Sequence, residues 1–182
     1  MHSKYIIISV LSFLIALLSF ALYNQIIIIK IPFQEHVYYK ETSSYKKQII
    51  LCYFHHEKWK NEKQEVLWSD NIGNSIYQLV NAWLTILDEE HITTKKVTLQ
   101  TALLSTDNTI YLSFDYNPLS KEDSIFKKLM LIEGLLKTIR ENNKTIQRVQ
   151  LFVQQQPLID YHLDFSMPWP IQGFTDKLSA MR

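Results

Sequence analysis

The reactive side chains of this sequence gather at one place, where Cys52, His55, His56 and Glu57 fall almost side by side. A thiol and an imidazole that converged could form a thiolate nucleophile, and with the carboxylate they could hold a metal ion. The surroundings argue against both. Cys52 lies inside QIILCYF (48–54), a stretch apolar on both alternating faces, where a thiol behaves as a small hydrophobe. Adjacent His55 and His56 leave an extended segment on opposite sides, and the three or four regularly spaced ligands of a zinc site are missing. A buried structural cysteine beside a solvated histidine pair is the expected outcome. His162 and Asp164, two residues apart, share a strand face and could pair as base and orienter, but no nucleophile accompanies them. Asp88-Glu89-Glu90 reads as a solvated helix exit. Gly73, Gly134 and Gly173 are too dispersed for a phosphate loop or a dinucleotide fingerprint. The residues therefore point to no catalytic group, no cofactor and no metal, and to a protein that is not an enzyme.

Contact by shape is the remaining option. Lys and Arg number 19 against 18 Asp and Glu, a net charge of +1, and with Lys4 set aside the two signs balance. No global field favours nucleic acid. Four Trp, ten Tyr and nine Phe leave material for a surface that binds glycan or peptide. Trp83 falls on an apolar helix face and is expected in the core, whereas Trp59, Trp68 and Trp169 are the candidates for the surface.

Those residues need elements to carry them. QIILCYF predicts a central strand over 48–54, His55–Lys63 a charged loop, and Glu65–Trp68 a short edge strand. Ile72, Ile76, Leu79, Val80, Trp83, Leu84 and Leu87 recur at helical spacing and predict one amphipathic helix. Val97–Leu104 and Ile110–Phe114 alternate about the turn residues 105–108, an antiparallel hairpin. Ser120 with Asp123 resembles a capping box, and Ile125, Phe126, Leu129, Ile132, Leu136 and Ile139 mark a second helix ending near Asn142-Asn143. Gln147–Gln155 supplies a last strand with Val149, Leu151 and Val153 inward. The order β-α-β-β-α-β predicts an α+β two-layer sandwich, in which two helices pack on one face of a mostly antiparallel four-stranded sheet.

Ahead of this body, Tyr5–Tyr23 is a run of 19 uncharged residues broken only by Ser9, Ser12 and Ser19. It nearly fills the roughly 20-residue helix that spans a bilayer and exceeds the apolar core of an ordinary signal peptide, so a signal anchor is expected. Cleavage after Ser19-Phe20-Ala21 is the alternative. Either one exports the body. The expected organisation is an anchor over 1–31, a linker over 32–47, the domain over 48–172 and a tail over 173–182.

Three segments resemble the GerMN domain of sporulation and spore germination proteins. VTLQTALLSTDNTIYLSFDYNPLS (97–120) is similar to that family's central hairpin, with Asp107-Asn108 at its usual Asp-Gly turn. IEGLLKTIREN (132–142) is similar to the helix that follows. IQRVQLFVQQQPLIDYHLDFSMP (146–168) is similar to the closing strand and tail, with His162-Leu163-Asp164-Phe165-Ser166 and Pro168 in matching order. Gln154-Gln155-Gln156 and Tyr161 stand where the family usually has glycine. The resemblance implies a binding or assembly module of the cell envelope, attached to the membrane by its leading helix and meeting an envelope protein or another copy of itself. An envelope hydrolase acting on wall or glycan material through His162, Asp164 or Cys52 is the alternative from a different class. A division or pilus-like subunit assembling through its apolar helix is a third.

Overall fold

The computed structural model describes Tyr5 and residues 44–174. The expected anchor beyond Tyr5, the linker up to residue 43 and the tail from residue 175 lie outside the described residues. Among the described residues no helix is long and apolar enough to cross a membrane.

The fold is α+β with two helices, in the order β1 (Ser44–His55), β2 (Lys58–Ser69), α1 (Ile72–Glu89), β3 (Leu99–Leu104), β4 (Thr109–Phe114), α2 (Ile125–Asn142), β5 (Arg148–Val153), β6 (Gln156–Pro157) and β7 (Trp169–Pro170). The single four-stranded sheet expected from the sequence is instead two sheets. β1 and β2 form a separate antiparallel ribbon, and β3-β4-β5-β6 form the main sheet with β7 added to β5. Within the main sheet β4 and β5 run parallel, with α2 as their crossover, and the other pairs are antiparallel.

The ribbon is also where the expected loop fails. His56 and Glu57, at φ 49° and 60°, make a two-residue turn that pairs His55 with Lys58 and runs the register out to Ser44 opposite Ser69. Two consecutive left-handed residues match the twist of a hairpin, a turn the sequence hides because it lacks Asn-Gly. Ser44–Lys47, expected as linker, are strand for the same reason.

The two helices stand where their periodicity puts them. Asn71 caps α1, its side chain accepting from Asn74 N at 3.1 Å. Ser124, not Ser120, caps α2 by accepting from Lys127 N at 3.2 Å, and Ser120 closes a turn ahead of it. α1 lies against β2, β3 and α2. One core joins both sheets and both helices, with Ile49, Leu51, Ile76, Leu79, Trp83, Leu112, Phe114, Leu136 and Ile139 all fully buried.

α2 is covered on more than its apolar stripe. Gly134, Thr138 and Asn142, one turn apart, face β1. Asn142 Oδ1 accepts from Ile50 N at 2.9 Å and its Nδ2 donates to Ile50 O at 2.7 Å. Thr138 Oγ1 accepts from Cys52 N at 2.8 Å, and Cys52 O takes bonds from Thr138 Oγ1 and Trp83 Nε1. Two strand residues rise about 6.7 Å and four helical residues about 6 Å, so one helix stripe can serve alternate strand residues. The edge of β1 away from β2 is thus closed by side chains in place of a neighbouring strand. Gly134 allows the approach: a Cβ there would meet Cys52 O at 3.1 Å and Tyr53 Cα at 3.5 Å.

Candidate binding surface

The two sequence candidates for chemistry fall at separate places. Cys52 is buried, its backbone held by Thr138 and Trp83 as above, and burial pushes its thiol above the ordinary range. His55 Nδ1 stands 3.0 Å from Glu90 Oε2. Lys60 Nζ reaches the same oxygen at 3.1 Å. Glu90, read from the sequence as part of a solvated exit, therefore ties the end of α1 to the ribbon. Its carboxyl is lowered, first by the hydrogen bond from Lys60. Among the described residues no group of three or more His, Cys, Asp or Glu side chains is arranged to hold a metal ion.

His162 and Asp164 lie on the segment between β6 and β7, which both pair with β5. No hydrogen bond or ion pair joins them. Asp164 accepts from Ser166 N at 2.8 Å, and bonds from Ser166 hold its carboxyl below the ordinary value. His162 Nδ1 is 3.3 Å from Lys128 Nζ. An ammonium only donates, so Nδ1 is the acceptor and the imidazole proton sits on Nε2. The nitrogen a general base would need is occupied.

The partner that sequence reasoning missed is Lys128. Its side chain is 0% exposed and its Nζ lies 2.5 Å from Oδ2 of Asp160, itself 2% exposed. Asp160 Oδ1 accepts from His162 N at 2.9 Å and from Leu163 N at 3.2 Å. Burial alone would raise the Asp160 carboxyl, but the Lys128 hydrogen bond and charge and the two backbone donors outweigh it, and the net shift is downward. Both carboxylate oxygens of Asp160 are thus engaged, one by Lys128 of α2 and the other by the loop's own backbone. A hydrogen bond from Gln150 Nε2 to Phe165 O at 2.6 Å and stacking of Phe165 on Trp169 fix its far side.

Above this locked base the loop turns apolar side chains outward. Ile159 is 84% exposed, Tyr161 81% and Met167 71%. They flank an open depression of about 460 Å³ formed by residues 157–166. Of the three expected surface tryptophans, Trp68 is buried beneath Lys47 Nζ, which lies 3.8 Å from its ring. Trp59 packs edge-on against Phe54, and Trp169 donates its Nε1 to Asp164 O. The outward aromatic residue here is Tyr161. A charge inside the apolar run of α2 and a loop rich in apolar residues were the only signals of this arrangement.

No family model matches the sequence, and no curated protein matches it. Among solved structures, the chain is similar to a Clostridium perfringens protein assigned as a lipoprotein. Identity is 16%, the match covers 70% of this chain and 88% of that one, and the TM-score is 0.43. It is also similar to the tandem GerMN domains of the sporulation protein GerM from Bacillus subtilis, at 11% identity over 70% of this chain and a TM-score of 0.41. The match spans 45% of that tandem chain. Likeness of this size carries no functional argument.

Proposed function

We propose that the protein is a membrane-attached, extracytoplasmic, GerMN-like module of the cell envelope that acts by binding another protein and catalyses nothing. The observation that supports this reading is the loop at 157–168. Its apolar side chains are exposed although its base is fixed by a fully buried ion pair, so the surface is held in one shape before any partner arrives. Preorganisation of this kind lowers the ordering cost of association. The hydrolase reading has less support, because Cys52 is enclosed and the Nδ1 of His162 is committed to Lys128. Tyr5–Tyr23 supports attachment through its length and lack of charge.

The test compares the full chain with an Ile159→Ser/Tyr161→Ser/Met167→Ser variant, each crosslinked in intact cells and purified from detergent-solubilised membranes. A specific envelope protein, or a second copy of the chain, is expected to crosslink to the first and not to the second, with both equally stable to heat. Equal crosslinking by the two would remove this surface from the function.

A further inference from the structure

A second place on the molecule, remote in sequence from that loop, brings three of the six histidines to one cavity. His55 and His56 come from the tip of the ribbon and His91 from the residue after the cap of α1. Their cavity holds about 290 Å³, with Phe54 and Phe126 as apolar walls and Lys127 at its margin. A cleft of about 50 Å³ shares Phe54, Ile92 and Lys127 with it and is otherwise lined by core residues such as Trp83 and Met130. The backbone makes the choice of histidine informative. His56 has φ 49° and His91 φ 54°, left-handed positions where glycine would sit without cost. His91 occupies the residue that closes α1, its N–H bonding Asp88 O while Ile92 N bonds Leu87 O. Neither turn needs an imidazole, yet both rings line the same cavity. The His55 and His56 rings lie 3.8 Å apart between centroids, and His55 Nδ1 faces Glu90 Oε2 at 3.0 Å, which leaves His56 and His91 to meet a ligand.

We infer that this cavity binds a small apolar carboxylate, its anionic end between the His56 and His91 imidazoles, with the His55 ring, turned to Glu90, packed against His56, and its body against Phe54 and Phe126. Imidazole N–H groups donate to a carboxylate oxygen, and such bonds are stronger than neutral ones. A single negative charge suits the mouth better than a phosphate dianion does, since Lys127 is already paired to Asp123 at 2.8 Å and Glu90 lies beside His55. The volume is at the small end for ligand sites and fits one ring on a short chain.

The test uses the full chain in a nonionic detergent and two probes, 3-phenylpropionate and its uncharged counterpart 3-phenylpropanol. Titration with the acid is expected to move the imidazole NMR signals of His55, His56 and His91 and to leave His162 in place, with the alcohol binding at least about tenfold more weakly. His56→Asn and His91→Asn keep a residue that accepts the left-handed backbone. Each should therefore leave the unfolding midpoint nearly unchanged while weakening the acid about tenfold, the loss expected for one hydrogen bond to a charged group. No signal change at 10 mM acid, equal affinity for the alcohol, or wild-type affinity in both variants would overturn the inference.

Discussion

Replacing Lys128 by Met tests the fastening beneath the exposed loop. Methionine fills nearly the same volume, so packing changes little, but Asp160 is left 2% exposed without its cation. Breaking one side of a buried pair costs about 3–5 kcal/mol. Asp160 keeps its bonds from His162 N and Leu163 N, which places the loss near the lower figure, about 3 kcal/mol. With a urea slope of roughly 2 kcal/mol/M, the midpoint should fall by about 1.5 M, read from tryptophan fluorescence. The pH dependence supplies the sharper check. In the wild type the Asp160 carboxyl is lowered in the folded state, so its contribution is present above the ordinary value of about 3.9 and is lost as pH falls through the folded value. In Lys128→Met desolvation acts without the cation and the folded value rises, so protonation now relieves the folded state. The difference between the two proteins should therefore shrink from pH 7 to pH 4.5. Lys128→Met/Asp160→Asn, which removes both charges and retains an oxygen for the backbone donors, should recover most of the loss. A single variant within 1 kcal/mol of wild type, or a gap that is constant or wider at pH 4.5, would refute the reasoning.

Other consequences are open to measurement. Asn142→Leu leaves Ile50 N–H and C=O on the closed edge of β1 without partners, so stability should drop by about 1–3 kcal/mol and Ile50 amide exchange should accelerate. Gly134→Val should destabilise by more than Gly134→Ala, because alanine gains about 1 kcal/mol of helix propensity against the 3.1 Å contact with Cys52 O; equal effects would show that β1 moves aside. The Cys52 thiol, buried and raised, should react with an alkylating reagent at pH 8 only at the rate of unfolding, and rapid native-state labelling would place it outside the core.

Both helices and the strands β3, β4 and β5 could be read from the chain because their apolar spacing matches one buried side. The ribbon could be read only in part: 48–54 and 65–68 are expected as strands and fall within β1 and β2, but the turn at 56–57 and the pairing of the two are not. The first part of its second strand, KWKNEKQ (58–64), carries no apolar alternation, and its turn is His-Glu, so only pairing with β1 makes that part a strand. The same holds for the two-sheet arrangement: nothing local announces that Thr138 and Asn142 replace a strand. At the candidate surface, the sequence draws attention to His162 and Asp164, whereas the ion pair in that loop is Lys128 with Asp160. Lys128 sits in an ordinary helical lysine doublet, and its burial is set by a loop more than thirty positions later. The outward direction of Ile159, Tyr161 and Met167 depends on that same long-range contact.

The charged strand of the ribbon has a consequence for solubility. Since Ile50 and Cys52 turn their backbone groups toward α2, the alternation gives the outer backbone groups of β2 to residues such as Asn61, Lys63 and Glu65. Two molecules meeting antiparallel along that margin about Glu62 or Lys63 would set identical charges directly across from each other, which is destabilising. A long open strand invites fibrous stacking, and here its own lysines and glutamates repel those registers.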